Sequence, residues 1–392
     1  MRTKSIQLST WLLYLLWLGS DPIRADAAPP VSGECPPGFE ALDRIILQAM
    51  EESSASGAAL AIAKDGRLVF ARGYGHTGTS TGKRVEPTTL FRIASVSKVF
   101  TVAAICALVE QGKLKLEDPI LDRLPVQAPA SVDPRWRKIK VVHLVGHRGG
   151  FDREKSGDPM FQTVEIAREM KVVPPARPEH IVRYMLNQPL DFEPGTRFCY
   201  SNFGYCLLGR VIEKTSGKTY EQFVQESVLK PLGISRMRIG RTRTALPNEV
   251  RYYESEPATA PNVFTGYRGP QVPTPYGAWC LESMDAHGGW VASAVDLARF
   301  GAALDSAEQF PTVGGLTFKN AFFPEYYHFG AFSGSSALFR HGPNGVSYGL
   351  VFNSRRHRSD RDLCDAIHDE IQKALGQIRD WPNGDLFPKY LK

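Results

Sequence analysis

Residues 90–104 read LFRIASVSKVFTVAA and have the apolar content of a buried helix. Ser95 and Lys98 stand three positions apart in this stretch, so on a helix their side chains project from the same side. A serine hydroxyl beside a lysine, near the positive end of a helix dipole, is one known form of activated nucleophile. The alternative, favoured on these residues alone, is that Ser95 caps the helix and Lys98 points into water.

The segments before this stretch predict a helix and then a hairpin. Apolar residues recur at helical spacing from Phe39 to Met50, and this helix should end near Ser53. Strand-like runs at 58–63 and 68–71 then flank an Asp-Gly pair, which is a strong hairpin signal.

The segments after it are helical in the middle of the chain and strand-like near its end. Helical patterns lie at 95–112, 139–145, 178–187, 205–215 and 363–378, and short strands lie at 337–340 and 347–353. Strands at both ends with helices between them predict an α/β fold. We expect an antiparallel sheet built from the N- and C-terminal segments, packed by the terminal helices, with an inserted, mostly helical lobe. The long irregular segment 240–277 is expected near the mouth of the site.

Composition and the N-terminus limit the functional class. The chain has 392 residues, 43% of them hydrophobic, and a formal charge of +6 without a dense basic run, which argues against nucleic-acid binding. A basic start, an apolar run at 11–18 and small residues up to Ala27 predict a signal peptide over residues 1–27. An uncleaved anchor is the alternative, but the run is shorter than the roughly 20 residues of a membrane span. The mature chain is therefore expected to be exported, periplasmic or extracellular, with no membrane span.

Cysteines and histidines give no metal or cofactor site. The six cysteines allow fifteen pairings as three bridges, and the sequence does not choose among them; Cys106, within an apolar pattern, is expected to be a free buried thiol. His143 and His147 stand four apart but lack a third ligand, so we interpret them as structural. The G-x-G-x-x-G at 73–78 and G-x-S-x-G at 78–82 are not followed by a helix, which argues for loops.

Three later segments bear on the interpretation of Ser95. Residues 192–205 read FEPGTRFCYSNFGY, residues 288–300 read GGWVASAVDLARF, and residues 341–345 read HGPNG. With the S-x-x-K of Ser95 and Lys98, they resemble the Y-x-N box, the sheet-to-helix segment and a variant of the K-T-G or H-x-G box of the serine β-lactamase and penicillin-binding-protein family. The resemblance is closest to the class C β-lactamase branch, which also holds D-alanyl-D-alanine carboxypeptidases and esterases.

The resemblance covers nearly all of the mature chain and implies its organisation. A Pro-rich lead at 28–37 would precede one β-lactamase-related serine hydrolase domain at 38–392. Within this domain the sheet lobe would occupy about 38–90 and 285–392, and the helical lobe about 91–284.

The resemblance also implies roles for individual residues. Ser95 would attack a carbonyl and form an acyl-enzyme, and Tyr200, with its pKa lowered by Lys98, would help to remove the proton and later activate water. Asn202 would contact the carbonyl region of the substrate. The oxyanion would be held by the backbone N–H of Ser95 and by a second donor after the third box.

The third box departs from the family pattern. Here His341 and Gly342 would bind substrate, but Pro343 has no N–H to give, so Asn344 is the candidate donor. A histidine is mostly neutral near pH 7 and attracts a substrate carboxylate less than a lysine would. The substrate is therefore expected to be a small ester, a β-lactam or a peptidoglycan-derived amide. The alternative is a weak or inactive relative that binds cell-wall fragments or a protein partner.

Overall fold

The computed structural model describes residues 28–78, 82–254, 258–266, 269–304, 312–313, 316–317, 326–342, 344–355, 357–358 and 361–391. The predicted signal peptide and Pro343 lie outside the described residues. The strands are β1 (Val31–Glu34), β2 (Gly57–Lys64), β3 (Arg67–Gly75), β4 (Phe91–Arg92), β5 (Arg238–Ile239), β6 (Thr259–Pro261), β7 (Gln271–Pro273), β8 (Trp290–Ala292), β9 (Thr312–Val313), β10 (Leu316–Thr317), β11 (Tyr326–Phe332), β12 (Ser335–His341), β13 (Val346–Phe352), β14 (His357–Arg358) and β15 (Arg361–Asp362). The α-helices are α1 (Glu40–Ser53), α2 (Ser97–Glu110), α3 (Val141–Val145), α4 (Arg153–Ser156), α5 (Thr163–Glu169), α6 (Pro178–Met185), α7 (Asn202–Ser216), α8 (Tyr220–Val224), α9 (Ala294–Ala303), α10 (Leu363–Gly376) and α11 (Phe387–Tyr390).

The main sheet draws its strands from both ends of the chain. Its six strands run in the order β1-β3-β2-β13-β12-β11, and every neighbouring pair is antiparallel. Asp65 and Gly66 join β2 to β3 with φ of 49° and 81°, as a tight hairpin turn requires. The predicted fold class is therefore confirmed, and one strand, β1, comes from the predicted Pro-rich lead.

The sheet is covered on both faces. On one face, α1 and α10 pack their apolar sides against it and enclose a buried cluster that includes Leu42, Ile46, Leu350 and Ile371. On the other face lie α9 and the helices of the central segment, where buried residues of α2 form a second cluster. An α-helix that is apolar on all sides must be enclosed by protein, and α2 is enclosed in this way.

Among the helix starts that differ from the sequence prediction, two concern site residues. The regular turns of α2 begin at Ser97, while Ser95 lies in a preceding 3₁₀ turn, Ala94–Val96. The helix predicted from residue 205 begins at Asn202, because the Ser201 hydroxyl caps it by accepting a hydrogen bond from the Gly204 N–H at 3.0 Å.

Three further expectations can be compared with the structure. All six cysteines lie in the described part of the chain, and each is a free thiol. None of the helices in the described ranges is long and apolar enough to cross a bilayer. The segment 240–277, where it is described, contacts Arg92, three residues before Ser95. The Tyr252 hydroxyl accepts a hydrogen bond from the Arg92 backbone N–H, and the Pro275 carbonyl accepts one from the Arg92 guanidinium.

Candidate active site

Ser95 lies on a turn that is held under backbone strain. The preceding residue, Ala94, has a φ of 43°, which is costly for a residue with a Cβ. Hydrogen bonds to β8 fix the turn on both sides: the Ile93 N–H donates to the Trp290 carbonyl at 3.0 Å, and the Trp290 N–H donates to the Ser97 hydroxyl at 3.1 Å. Ser95 is partly exposed, whereas its neighbours on the turn are buried. The fold therefore presents this hydroxyl at a fixed position.

Lys98 is buried beside Ser95 and does not point into water. Its side chain is 0% exposed, and Nζ lies 3.1 Å from Ser95 Oγ, 2.8 Å from Asn202 Oδ1 and 2.7 Å from the His287 carbonyl oxygen. Burial lowers the pKa of Lys98 well below its ordinary value, and the charge of Asp158 opposes this shift only in part.

The three contacts of Lys98 suit a neutral amine. A neutral amine has two N–H groups and one lone pair. The Asn202 Oδ1 and the His287 carbonyl can only accept, so they take the two N–H groups. When Lys98 is protonated, its third N–H donates to Ser95 Oγ; when Lys98 is neutral, its lone pair faces the Ser95 hydroxyl instead. Lys98 is therefore placed to accept the proton of Ser95.

Tyr200 contacts Ser95 from another side. Its hydroxyl donates to Ser95 Oγ at 2.8 Å. Burial raises the pKa of Tyr200 to about 12, although the hydrogen bond to Ser95 and the charge of Arg153 act in the opposite direction. The lowered pKa that the family resemblance implied is thus wrong in direction. The cause is burial of the phenol, and the structure makes Tyr200 a proton donor at neutral pH.

His147, expected to be structural, supports Tyr200. The two rings stack with their centroids 4.5 Å apart, and the His147 Nδ1 accepts a hydrogen bond from the Ser201 N–H at 3.1 Å. Burial, followed by the charge of Lys98, lowers the pKa of His147 to about 3, so the imidazole is neutral at pH 7. Its position in the sequence, after α3, gave no sign of this contact.

Asn202 links Lys98 to an acidic residue that sequence reasoning missed. Its Oδ1 accepts from Lys98, and its Nδ2 donates to Asp158 Oδ2 at 2.7 Å. The other carboxylate oxygen of Asp158 accepts from the Met160 N–H at 3.1 Å. This pair of contacts fixes which end of the Asn202 amide faces Lys98.

The residues predicted for the third box do not reach the site. His341 pairs with Tyr326 on β11, and Tyr326 lies four residues, roughly 13 Å, along that strand from Gly330, which is the residue that faces Ser95. The Gly342 N–H donates to the Val346 carbonyl at 2.9 Å, and the Asn344 carbonyl accepts from Lys64 at 2.7 Å. The assignment of His341, Gly342 and Asn344 to substrate binding is therefore corrected: they form the turn between β12 and β13, away from Ser95.

The strand beside Ser95 is β11, which carries His328, Phe329 and Gly330. A Cβ on Gly330 would lie 2.2 Å from the Ile93 carbonyl oxygen and 2.9 Å from the Ser95 nitrogen, so only glycine permits this approach. Burial, and then the charge of Lys98, lowers the pKa of His328 to about 4. The sequence also has a His-x-Gly spacing at 328–330, thirteen residues before the 341–345 segment in which the family resemblance places the third box.

Comparisons with known proteins identify the family and the fold of the chain. A family model described as Beta-lactamase matches residues 42–357. A probable fimbrial assembly protein FimD, serogroup H1, of Dichelobacter nodosus is 31% identical over 265 residues, which cover 67% of this chain and 61% of that protein. The chain spans about half the length of the curated relatives it matches.

Two solved structures illustrate the shared fold. A D-amino acid amidase from Ochrobactrum anthropi SV3, complexed with D-phenylalanine, superimposes with a TM-score of 0.67 at 21% identity, covering 87% of this chain and 99% of that one. EstCE1, a hydrolase with promiscuous acyltransferase activity, gives a TM-score of 0.59 at 21% identity, covering 81% and 93%. At these identities the likeness concerns the fold.

Proposed function

Because the chain belongs to the beta-lactamase family, we propose that it is a serine hydrolase, that Ser95 is its nucleophile and that it cleaves an ester or amide through an acyl-enzyme. One observation carries the proposal. Lys98 Nζ and the Tyr200 hydroxyl both lie within hydrogen-bond reach of Ser95 Oγ, at 3.1 and 2.8 Å. A base and an acid that share one hydroxyl are what acyl transfer requires.

Acylation begins with proton transfer from Ser95 to the Lys98 lone pair. Oγ then bonds to the substrate carbonyl carbon, and the carbonyl oxygen becomes an oxyanion. When the oxyanion collapses, the bond to the leaving group breaks, and the Tyr200 phenol protonates that group. The proton held by Lys98 returns to Tyr200, and water repeats the sequence to release the acid and free Ser95.

The oxyanion needs two donors, and we place the second on β11. The first is the backbone N–H of Ser95. Within the described sheet β11 has a neighbour on one side only, so the N–H groups of its other edge are not used by sheet pairing. Because Gly330 faces the Ser95 turn, the N–H of Ala331, the next residue along, is our candidate donor. It takes the role that was expected of Asn344.

The substrate class remains a small ester, a β-lactam or a peptidoglycan-derived amide. A class C-like mechanism is part of the proposal, with the difference that Lys98, not Tyr200, removes the proton. The alternative of an inactive relative depended on Pro343. That argument loses its basis, because the neighbouring residues His341, Gly342 and Asn344 lie away from Ser95.

Active-site labelling tests the nucleophile. Wild type should react with a fluorophosphonate probe, and Ser95→Ala should lose the label while Ser216→Ala, changed at the end of α7, keeps it. An unlabelled wild type, or a labelled Ser95→Ala, would show the assignment to be wrong. A chromogenic cephalosporin and a short-chain nitrophenyl ester, assayed side by side, separate β-lactamase from esterase activity.

Export is a separate proposal that follows from the N-terminal sequence. Cleavage after Ala27 would leave a mature chain that begins at Ala28. Mass spectrometry of the protein recovered outside the cytoplasm should find that N-terminus. An intact Met1 in the exported protein would contradict it.

A further inference from the structure

Among the basic side chains near Ser95, His147 and His328 are neutral at pH 7, and Lys98 is directed at protein oxygens. Burial lowers the pKa of His147 to about 3 and that of His328 to about 4. It also lowers the pKa of Lys98 well below its ordinary value, and the Lys98 N–H groups are directed at protein oxygens. Another of these side chains is Arg153, and an arginine stays charged at any pH at which proteins fold.

The aromatic ring of Tyr200 lies between Arg153 and Ser95. The Arg153 guanidinium carbon lies 5.1 Å from the centre of the Tyr200 ring, and the hydroxyl of that ring is hydrogen-bonded to Ser95. Cation–π contact with an aromatic face holds a guanidinium in place without using its N–H donors. The charge also reaches the reacting groups, since it lowers the pKa of both Lys98 and Tyr200.

Two acidic residues of this part of the chain, Asp152 and Asp158, have other partners. Asp152, its neighbour in the chain, accepts from Arg197 at 2.6 Å. Asp158 accepts from Asn202 with one oxygen and from the Met160 N–H with the other. Among the described residues Arg153 makes no hydrogen bond or ion pair, and its side chain is exposed. Its five donors are therefore available to a ligand.

We propose that Arg153 is a specificity-determining residue that binds a carboxylate of the substrate, so that the substrate carries an anionic group a few bonds from the scissile carbonyl. The inference rests on the proposed role of Ser95. A guanidinium offers two parallel N–H groups that match a carboxylate, and such charge-assisted pairs are stronger than neutral hydrogen bonds. Substrate anchoring thus comes from α4 of the helical segment, whereas β11 offers a neutral histidine.

Matched ester pairs test this role. One pair, 3-acetoxybenzoate and phenyl acetate, differs by a carboxylate on the leaving group; the other, the 4-nitrophenyl monoesters of glutaric and valeric acids, differs by a carboxylate on the acyl group. In Arg153→Gln, kcat/KM for the carboxylate member of at least one pair should fall roughly tenfold or more, mainly through KM. The neutral member should change by less than about threefold. Lys155→Gln, two residues along α4, is the control and should leave both ratios unchanged.

The outcomes separate the two proposals. If Arg153→Gln lowers turnover of charged and neutral esters equally, or changes neither, Arg153 does not recognise a carboxylate, although Ser95 can still be the nucleophile. If wild type hydrolyses no ester and takes up no fluorophosphonate, the proposed function fails and this inference fails with it. Turnover of the neutral esters also reports that Arg153→Gln is folded.

Discussion

The neighbouring strands β11 and β12 each carry a histidine that is followed closely by a glycine: His328 and Gly330 on β11, and His341 and Gly342 at the end of β12. Only the pair on β11 is at the site. His328 and Gly330 lie on β11, whose edge faces the Ser95 turn, while His341 ends β12, which is hydrogen-bonded on both sides. Similar residue types thus have different surroundings. The difference shows that a strand can serve an acyl-transfer site when its backbone edge is free and a glycine lets it approach the nucleophile.

The largest difference in ester hydrolysis is expected between the alanine variants of Gly330 and Gly342. In Gly330→Ala the new Cβ would lie 2.2 Å from the Ile93 carbonyl oxygen, so β11 must move away from Ser95. Loss of one oxyanion donor costs roughly 100- to 1,000-fold in kcat, and we expect a fall of that order in ester hydrolysis. In Gly342→Ala the Cβ meets the end of the Arg340 side chain at 2.6 Å, which can swing aside.

The Gly342→Ala variant should therefore keep activity within about threefold of wild type. Thermal unfolding of both variants shows whether each is folded. Full activity in a folded Gly330→Ala would mean that β11 does not form the oxyanion hole. A large loss in Gly342→Ala would return the function to the turn between β12 and β13.

A smaller effect is expected from removing each imidazole. His328 is close enough to Lys98 for the Lys98 charge to lower its pKa. Its loss in His328→Ala admits water beside Lys98, which favours the protonated amine and lowers the fraction of free base. We expect kcat/KM at pH 7 to fall by roughly tenfold with little change in the unfolding temperature.

His341→Ala should show the reverse behaviour. His341 is 1% exposed, and its Nδ1 is 2.9 Å from the Ser347 hydroxyl. Truncation removes that contact and leaves a cavity, at a cost of about 2–4 kcal/mol of folding free energy. The unfolding temperature should fall by several degrees, while kcat/KM for folded enzyme stays near wild type. Equal effects of both variants on activity would show that the two histidines are not distinguished by position.

The sequence predicted the parts of this site that depend on local spacing. Ser95 and Lys98 are three residues apart, so helical spacing predicts their contact, whereas Tyr200 and Asn202 are connected to them through the family resemblance of the Y-x-N box. The strand that completes the site could not be chosen in this way. Position at a sheet edge depends on the pairing of β11, β12, β13 and β2, which joins segments almost 300 residues apart.

The pKa values were the other part that sequence could not give. The family resemblance placed a charged Lys98 beside Tyr200 and so implied a more acidic phenol. In the structure both side chains are buried, and burial disfavours the charged form of each. Burial is a property of the whole fold, so the direction of these shifts became clear only from the packing around Ser95.

The smallest effect is expected on the helical side of the site, where Asp158 acts on Lys98 by charge. If Lys98 is the base, it must be neutral, so kcat/KM should rise with pH until Lys98 has lost its proton. Above about pH 4 His328 is neutral, and Tyr200 keeps its proton up to about pH 12. The acid limb of the profile above pH 4 therefore reports Lys98.

Asp158→Asn should move that limb to lower pH. The carboxylate raises the pKa of Lys98, so its removal makes the ammonium easier to deprotonate, and activity on the limb should rise by a few-fold. An asparagine oxygen can still accept from the Asn202 Nδ2, which now lies 2.7 Å from the carboxylate. Activity on the plateau should therefore stay within a few-fold of wild type. The measurement is kcat/KM for a neutral ester between pH 4 and 9.

Asp152→Asn is the matched control, because that carboxylate is bound by Arg197 at 2.6 Å, whereas the carboxylate that raises the pKa of Lys98 is Asp158. The acid limb of Asp152→Asn should coincide with that of wild type. A limb that moves to higher pH in Asp158→Asn would mean that the titrating group is not Lys98. A uniform loss of rate at every pH would mean that Asp158 acts only by holding Asn202 in position, so that the Lys98 charge is set by burial alone.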